Sequence, residues 1–222
     1  MSARRKGAGG VVVIGLGRFG CHLAGGLAAL NHEVLAIDRS PEQVQRWSAQ
    51  LDRVVQADST EEGVLRQLGV ADFGRAVVAI GASVEASVLT VLALAELGVA
   101  QIWARATSTK HAKILDSVGA HHVIFPEADT GVRVAHLIVS RMLDFIEFGD
   151  DFAIAKVCTP QAMVGRPLVE LAPTERYGVR VVGVKLPGER FRYATDATVI
   201  APDSMLIIEG DIEQVQRFAA LS

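Results

Sequence analysis

The chain has 222 residues, half of them apolar, and a formal net charge of −3. This length accommodates one full domain and a smaller second one, each with its own core. Positive charge is scattered except at Arg4, Arg5 and Lys6, so the composition argues against a nucleic-acid-binding face.

No apolar run approaches the ~18 residues that a membrane span requires, and no signal peptide precedes the first predicted strand. The two cysteines, Cys21 and Cys158, have no metal-ligand spacing. We therefore expect a cytoplasmic protein with reduced, buried thiols.

Strands and helices alternate through the first two-thirds of the chain. Strands are predicted near residues 10–15, 33–38, 53–57, 75–80, 101–106 and 121–125. Helices are predicted near residues 18–31, 41–50, 61–69, 84–98, 108–118 and 128–147. Six such units predict a doubly wound α/β domain, in which helices cover both faces of a parallel sheet.

The first strand ends in a glycine-rich turn, Gly-x-Gly-x-x-Gly, formed with Gly15, Gly17 and Gly20. Gly15 permits the tight turn, Gly17 lets backbone approach a phosphate, and Gly20 lets the following helix lie close to the strand. The next strand ends at Asp38, whose carboxylate would accept hydrogen bonds from ribose hydroxyls and repel a 2′-phosphate. The pattern predicts a nucleotide site, and the alternative is a glycine-rich turn without a ligand.

Arg18 lies at the mouth of the predicted phosphate site. Hydride-transfer enzymes usually carry a small or apolar residue here, whereas a guanidinium suits a terminal phosphate group. Arg18 therefore favours ATP or ADP over NAD, unless it is a solvated arginine on the first helical turn.

Further polar residues follow later strands, whose carboxyl ends meet at one edge of a parallel sheet. Asp58 and Ser59 are placed to contact adenine or ribose, although Asp58 would serve equally as a helix N-cap. Arg105 is either a phosphate ligand or a surface arginine. Glu127 either provides a helix N-terminal charge or holds a divalent cation, Mg²⁺ or Ca²⁺, beside phosphates. The candidate binding set is Gly15, Gly17, Arg18, Phe19, Gly20, Asp38, Arg39, Asp58, Ser59, Ile80, Gly81, Arg105 and Glu127.

Two predicted helices, residues 84–97 and 129–148, are apolar nearly all round. A helix of this kind is buried on more than one side, which predicts a partner subunit or an unusually thick core. We place the first domain at residues 9–148 and a smaller α+β domain at residues 152–222.

Catalytic patterns are missing from the sequence. All six histidines lie in the first domain, and no Walker lysine or His–carboxylate relay is recognisable. We expect a protein that is not an enzyme.

The layout resembles the RCK (KTN) regulatory subunits of bacterial Ktr/Trk potassium-uptake systems, most closely the KtrA type. The resemblance is carried by GLGRFG (15–20), AID (36–38), ADST (57–60), VAIG (78–81), IWARA (102–106), HAKIL (111–115), GAHHVIFPE (119–127) and RYG (176–178). It implies a cytoplasmic octameric ring of dimers beneath a membrane-embedded KtrB/TrkH-like potassium-translocating subunit, with ATP and ADP competing for the N-terminal site.

Some relatives bind cyclic di-AMP in the C-terminal domain, but Thr174 stands where several of them carry an arginine, which counts against that ligand here. Two other functions remain open. One is an NAD(H)-binding redox sensor of similar architecture, and the other is a small NAD-dependent oxidoreductase.

Overall fold

The computed structural model describes residues 10–149 and 151–222, so Arg4, Arg5 and Lys6 lie outside the described part of the chain. The chain divides into two compact units, the first ending at Glu127 and the second running from Ala128 to Ser222. The sequence placed this boundary about twenty residues later, between residues 148 and 152.

The first unit contains a parallel sheet of six strands in the order β3-β2-β1-β4-β5-β6. Its strands are β1 (Val11–Ile14), β2 (Val34–Asp38), β3 (Arg53–Gln56), β4 (Arg75–Val78), β5 (Gln101–Arg105) and β6 (His122–Ile124). Its helices are α1 (Arg18–Ala29), α2 (Pro41–Trp47), α3 (Glu62–Gln67), α4 (Val84–Glu96) and α5 (Thr109–Ser117). The doubly wound fold and all six predicted strands are confirmed.

The central strand β1 is buried on both faces, which explains its uninterrupted apolar sequence. Val11 and Val13 pack in one cluster with Ala24 of α1. Val12 points to the opposite face and packs in a second cluster with Leu94 of α4. This double cover leaves the carboxyl edge of the sheet as the place where a ligand meets the strand ends.

The second unit contains an antiparallel sheet of five strands in the order β10-β9-β11-β8-β7. Its strands are β7 (Met142–Phe148), β8 (Phe152–Cys158), β9 (Arg180–Lys185), β10 (Arg192–Tyr193) and β11 (Met205–Asp211). Its helices are α6 (Pro126–Val139, which begins two residues before the unit boundary), α7 (Leu168–Leu171), α8 (Pro173–Tyr177) and α9 (Ile212–Ala219). The predicted smaller α+β domain is confirmed. The prediction of two buried thiols is wrong for Cys158, which is exposed at the end of β8, whereas Cys21 is buried.

The helix predicted for residues 128–147 is wrong beyond Val139. Residues 142–148 form β7, which pairs with β8 and buries Met142 and Phe145 in the core of the second unit. A short apolar run has no periodicity that separates a buried helix from a strand, and its aromatic and β-branched residues favour the strand.

Two helices keep apolar side chains at the surface. The outer side of α4 exposes Val84, Leu89 and Leu92, while its inner side is buried. In α6, Ile138 and Val139 are 77% and 81% exposed. The two helices that the sequence identified as apolar all round therefore leave open faces in the single chain.

Candidate functional site

A different feature of the structure accounts for glycine at each of the three positions of the turn. Gly15 has φ +94°, a conformation that side-chain-bearing residues rarely adopt. At Gly20 a Cβ would lie 1.8 Å from the carbonyl oxygen of Gly15, so only glycine lets α1 approach the turn. At Gly17 a Cβ would meet no heavy atom of the described residues within 4 Å. The first two glycines serve the fold, and the third leaves open space beside the cavity described below.

The N-terminus of α1 is open to an anion. Its N-cap residue, Gly17, carries no side chain to accept the first N–H groups of the helix, and the first turn contains no acidic residue. The helices α2, α4 and α5 instead begin at Ser40, Ser83 and Ser108, whose hydroxyls accept from their own first turns. The unsatisfied N–H groups and the helix dipole favour a phosphate at α1.

Asp38 is held in one orientation by backbone amides. The N–H of Leu16 donates to Oδ2 at 2.6 Å, and the N–H of Ser40 donates to Oδ1 at 2.8 Å. Each carboxylate oxygen keeps further acceptor capacity. The carboxylate is therefore fixed at the edge of β2, in the position expected for a ribose ligand.

A cavity of about 560 Å³ lies along the carboxyl edge of the sheet. Ten of the predicted site residues line it: Gly15, Gly17, Arg18, Asp38, Arg39, Asp58, Ser59, Ile80, Gly81 and Arg105. Phe19, Gly20 and Glu127 are not part of its wall. Residues separated by up to 90 positions in the sequence thus surround one space large enough for a nucleotide.

Two arginines of the cavity wall, Arg18 and Arg105, interact electrostatically with Glu127. Arg105 donates to Glu127 through Nε at 3.3 Å and through Nη2 at 2.5 Å. Burial raises the pKa of Glu127, but these hydrogen bonds and the charges of Arg105 and Arg18 outweigh that effect and hold the pKa below its usual value. Glu127 is therefore an ionised carboxylate beside two guanidinium groups.

The structure separates the roles of the two residues after β3. Asp58 accepts from the N–H of Thr60 at 3.0 Å and from its hydroxyl at 2.7 Å, and these bonds, helped by the charge of Arg39, hold the pKa of Asp58 below its usual value. The N-cap of α3 is Glu61, so Asp58 shapes the preceding turn instead of capping the helix. Ser59 is buried, and its hydroxyl shares a hydrogen bond of 2.9 Å with Thr90. That bond engages the hydroxyl that was predicted to contact the nucleotide.

Several cavity residues were not identified from the sequence. They are Ile14, Ile37, Gln43, Thr60, Ala82, Ser83 and Ala86. Ser83 had a usable signal, because a serine between a strand end and an apolar helix is a common N-cap. Gln43 had no such signal in the sequence. It belongs to α2, and only the packing of that helix brings Gln43 to the cavity.

The divalent-cation and cyclic di-AMP predictions concern two different parts of the chain. Among the described residues, no group of three or more His, Cys, Asp or Glu side chains is close enough to hold a metal ion. In the second unit, Thr174 donates to the carbonyl of Val179 at 3.4 Å and lines a separate hollow with Arg176 and Arg217. No helix among the described residues has the length and apolarity to cross a membrane.

Two family models match the chain. The TrkA-N domain model matches residues 11–126, and the TrkA-C domain model matches residues 153–222. Ktr system potassium uptake protein C of Bacillus subtilis (strain 168) is 35% identical over 207 residues, which cover 93% of this chain and 94% of that protein. Ktr system potassium uptake protein A of Vibrio alginolyticus is 32% identical over 199 residues, covering 89% of this chain and 90% of that protein.

Solved structures share the fold. The RCK domain of GsuK superposes with a TM-score of 0.51 at 23% identity, covering 95% of this chain and 46% of that chain. The NAD(P)-binding domain of an exopolyphosphatase-related protein from Archaeoglobus fulgidus has a TM-score of 0.52 at 24% identity. The superposition covers 59% of this chain and 97% of that domain's chain. These likenesses establish the architecture, and the ligand of this chain must be argued from its own residues.

Proposed function

Because this chain belongs to the TrkA-N/TrkA-C family, which includes the Ktr potassium uptake proteins, we propose that it is the regulatory subunit of a potassium-uptake system. Its similarity to Ktr proteins A and C extends over about nine-tenths of the chain. Such a subunit would lie in the cytoplasm and act on a separate membrane-embedded subunit that translocates the ion.

The ligand that fits the cavity best is an adenine nucleotide, ATP or ADP. The observation that carries this proposal is the uncapped N-terminus of α1 beside Gly17, in the same cavity as the oriented carboxylate of Asp38. The first suits a phosphate group, and the second suits ribose hydroxyls. Small residues at the end of β4, Ala79 and Gly81, would let the adenine lie against backbone.

The proposed signal is the difference between ATP and ADP. Arg18 is an exposed guanidinium on the cavity wall, so the γ-phosphate of ATP would lie between Arg18 and a neighbouring subunit. ADP lacks that phosphate and that contact. Only such a difference in affinity between two conformations can shift a ring from one state to the other.

Oligomerisation is supported by the open apolar faces of α4 and α6. Val84, Leu89 and Leu92 on α4, together with Ile138 and Val139 on α6, are large apolar side chains exposed to water in a single chain. Exposed apolar helix faces of this kind mark interfaces in soluble proteins. We propose a homodimer that assembles further into an octameric ring.

The divalent cation is a further proposal for Glu127, which would hold Mg²⁺ or Ca²⁺ beside the nucleotide phosphates. Cyclic di-AMP in the second unit is not proposed, since Thr174 replaces the arginine of several relatives. We also propose that the protein is not an enzyme. Among the described residues of the cavity wall none is His, Lys, Tyr or Cys, the usual proton-transfer groups besides carboxylates.

One alternative has a specific observation in its favour. The carboxylate of Asp38 would accept hydrogen bonds from the adenosine ribose of NAD(H) as readily as from ATP. A redox sensor that binds NAD(H) is therefore the second candidate.

Calorimetric titration of the full chain with ATP, ADP, NAD and NADH separates the candidates. Regulation by adenine nucleotides predicts that ATP and ADP bind more tightly than either dinucleotide. Tighter binding of NADH or NAD would favour the redox sensor, and catalysed hydride transfer would reveal an oxidoreductase. Light scattering on the same samples tests the oligomer, which a stable monomer at micromolar concentration would contradict.

A further inference from the structure

We propose that Glu127 competes with the phosphate groups of a bound nucleotide for Arg105, so that the Arg105–Glu127 ion pair is an internal latch on the site. This inference rests on the proposed nucleotide function and adds how occupancy of the site is restrained. It assigns the carboxylate a role in the empty protein, separate from any role with a cation.

The side chain of Arg105 has a well-defined, mostly buried position at the end of β5. Its side chain is only 18% exposed, and its guanidinium lies against Gly81 on the cavity wall. A Cβ at position 81 would lie 1.9 Å from Nη1 and 2.6 Å from Cζ of Arg105. The guanidinium can lie in this position because residue 81 is glycine. The position is beside the space that a nucleotide would fill.

The ion pair with Glu127 is formed by the edge of the guanidinium that carries Nε and Nη2. Nε and Nη2 each donate to a different oxygen of the same carboxylate, which leaves Nη1 on the side of Gly81. A phosphate binds arginine best through the same kind of two-point contact. A nucleotide phosphate that seeks this edge of Arg105 must therefore displace Glu127.

The two partners differ in how easily they move. The side chain of Glu127 is 59% exposed, whereas Arg105 is mostly enclosed. Replacement of the carboxylate by a phosphate would thus leave the guanidinium in place against Gly81. The carboxylate would move into water, where it is readily hydrated. Solvated ion pairs contribute little to stability, so the latch would weaken binding modestly without blocking it.

The position of Glu127 gives the exchange a structural consequence. Glu127 is the second residue of α6, and the remaining turns of that helix belong to the second unit. Occupancy by phosphate would therefore change the partner of the first turn of α6. Since the exchange is driven by phosphate charge, it would matter more for ATP than for ADP.

The test is a double-mutant cycle on the full chain, with ATP affinity measured by calorimetry in EDTA so that no divalent cation contributes. Glu127→Gln removes the charge and retains the size, and it should tighten ATP about fivefold, the scale of an exposed ion pair. In an Arg105→Gln background the same substitution should change the affinity less than about twofold, because the competition has been removed. Glu62→Gln is the matched control, since it breaks the Arg66–Glu62 pair of α3 outside the cavity wall and should leave ATP affinity unchanged.

Each other outcome has a distinct meaning. Unchanged or weaker ATP binding by Glu127→Gln would overturn the latch. Equal tightening in both backgrounds would also overturn it, because Glu127 would then act on the phosphates directly and not through Arg105. If Arg105→Gln does not fold, Arg105→Met replaces it, because methionine fills part of the same enclosed space without a charge or a hydrogen-bond donor. A folded wild-type protein that binds neither ATP nor ADP would refute the nucleotide site itself.

Discussion

The two units of the chain place their polar residues differently, and sheet topology is the reason. In the first unit all strands are parallel, so every strand ends at the same edge and the residues that follow them surround one cavity. In the second unit neighbouring strands are antiparallel and end at opposite edges, which disperses such residues. Its hollow is built instead from α8 and α9, with Arg176 and Arg217 at its wall. In this chain the strand ends of the parallel sheet gather residues from distant segments into one cavity, whereas those of the antiparallel sheet do not.

The aromatic residues allow the two units to be followed separately. Both tryptophans, Trp47 and Trp103, belong to the first unit, and both tyrosines, Tyr177 and Tyr193, belong to the second. Tryptophan fluorescence therefore reports on the first unit alone. The following predictions test whether nucleotide recognition belongs to that unit.

The largest effect is expected for Gly17→Val. The backbone of Gly17 has φ −68° and ψ −172°, which valine adopts without strain, so the fold should survive. The branched side chain would occupy the open space beside the α1 N-terminus and exclude the phosphates. Loss of several charge-assisted hydrogen bonds should weaken ATP by about 100-fold or more.

Calorimetry measures this loss, and tryptophan fluorescence checks that the first unit stays folded. Gly26→Val is the matched control, since Gly26 lies on the same helix and a Cβ there also meets no described atom within 4 Å. Unchanged ATP affinity in Gly17→Val would remove the glycine turn from the binding site.

Arg18→Ala should separate ATP from ADP. The substitution removes the guanidinium that is proposed to contact the γ-phosphate, whereas contacts to adenosine would be common to both ligands. ATP should lose on the order of 1.5–3 kcal/mol of binding free energy, and ADP should lose much less.

Parallel titrations of both nucleotides provide the measurement, and Arg46→Ala on α2 removes the same charge away from the cavity wall. Equal weakening of ATP and ADP would make Arg18 a general phosphate anchor. The γ-phosphate switch would then have no basis.

Asp38 should discriminate against a phosphorylated ribose. A 2′-phosphate would lie against the carboxylate, and two like charges about 4 Å apart repel by about 1–4 kcal/mol near a protein surface. NADP should therefore bind about tenfold or more weakly than NAD in a direct competition assay. Similar affinities for the two dinucleotides would mean that the ribose lies elsewhere in the cavity.

The smallest effect is a pH dependence of stability confined to the first unit. His111 is 2% exposed, its Nδ1 accepts from the N–H of Thr107 at 3.3 Å, and its buried Nε2 has no partner among the described residues. Burial lowers the pKa of His111. The neutral ring therefore favours the folded state fully above about pH 6.5, the unfolded value, and this stability is lost as the pH falls through the lower folded pKa.

Thermal unfolding followed by tryptophan fluorescence should show a falling midpoint below about pH 6.5. The slope should flatten in His111→Gln, which cannot titrate, and persist in His22→Gln, because His22 is exposed on α1. An identical slope in all three proteins would assign the pH dependence to other groups.

The parts of the fold that were predictable are those whose signals are local. The turn at Gly15 and the caps at helix starts depend on neighbours in sequence, so the first unit could be traced almost element by element. Residues 142–148 were mistaken for helix because their apolar run has no periodicity that excludes a helix, and the preference of their aromatic and β-branched residues for a strand was not weighed. Pairing with β8 decided the strand, and that contact is not encoded in any short window.

The candidate site divides in the same way. Gly17 and Asp38 were recognisable because spacing along the chain constrains where a strand, a turn and a helix must lie. Gln43 was missed because only the packed fold brings α2 to the cavity. Ser59 was identified, but its hydroxyl bond to Thr90 was unforeseeable from the sequence, since the two residues are 31 positions apart.

The sequence by itself determined the glycine-rich turn and the acidic strand end, because backbone conformation and β-α-β geometry leave those residues little freedom. Only the tertiary structure decided the state of Arg105 and Glu127. Their two-point ion pair requires that the end of β5 and the start of α6, which are 22 residues apart in the sequence, lie next to each other. It also requires that residue 81 has no side chain. A charge on a strand end is visible in a sequence, whereas its partner is chosen by which chain segments the sheet brings together.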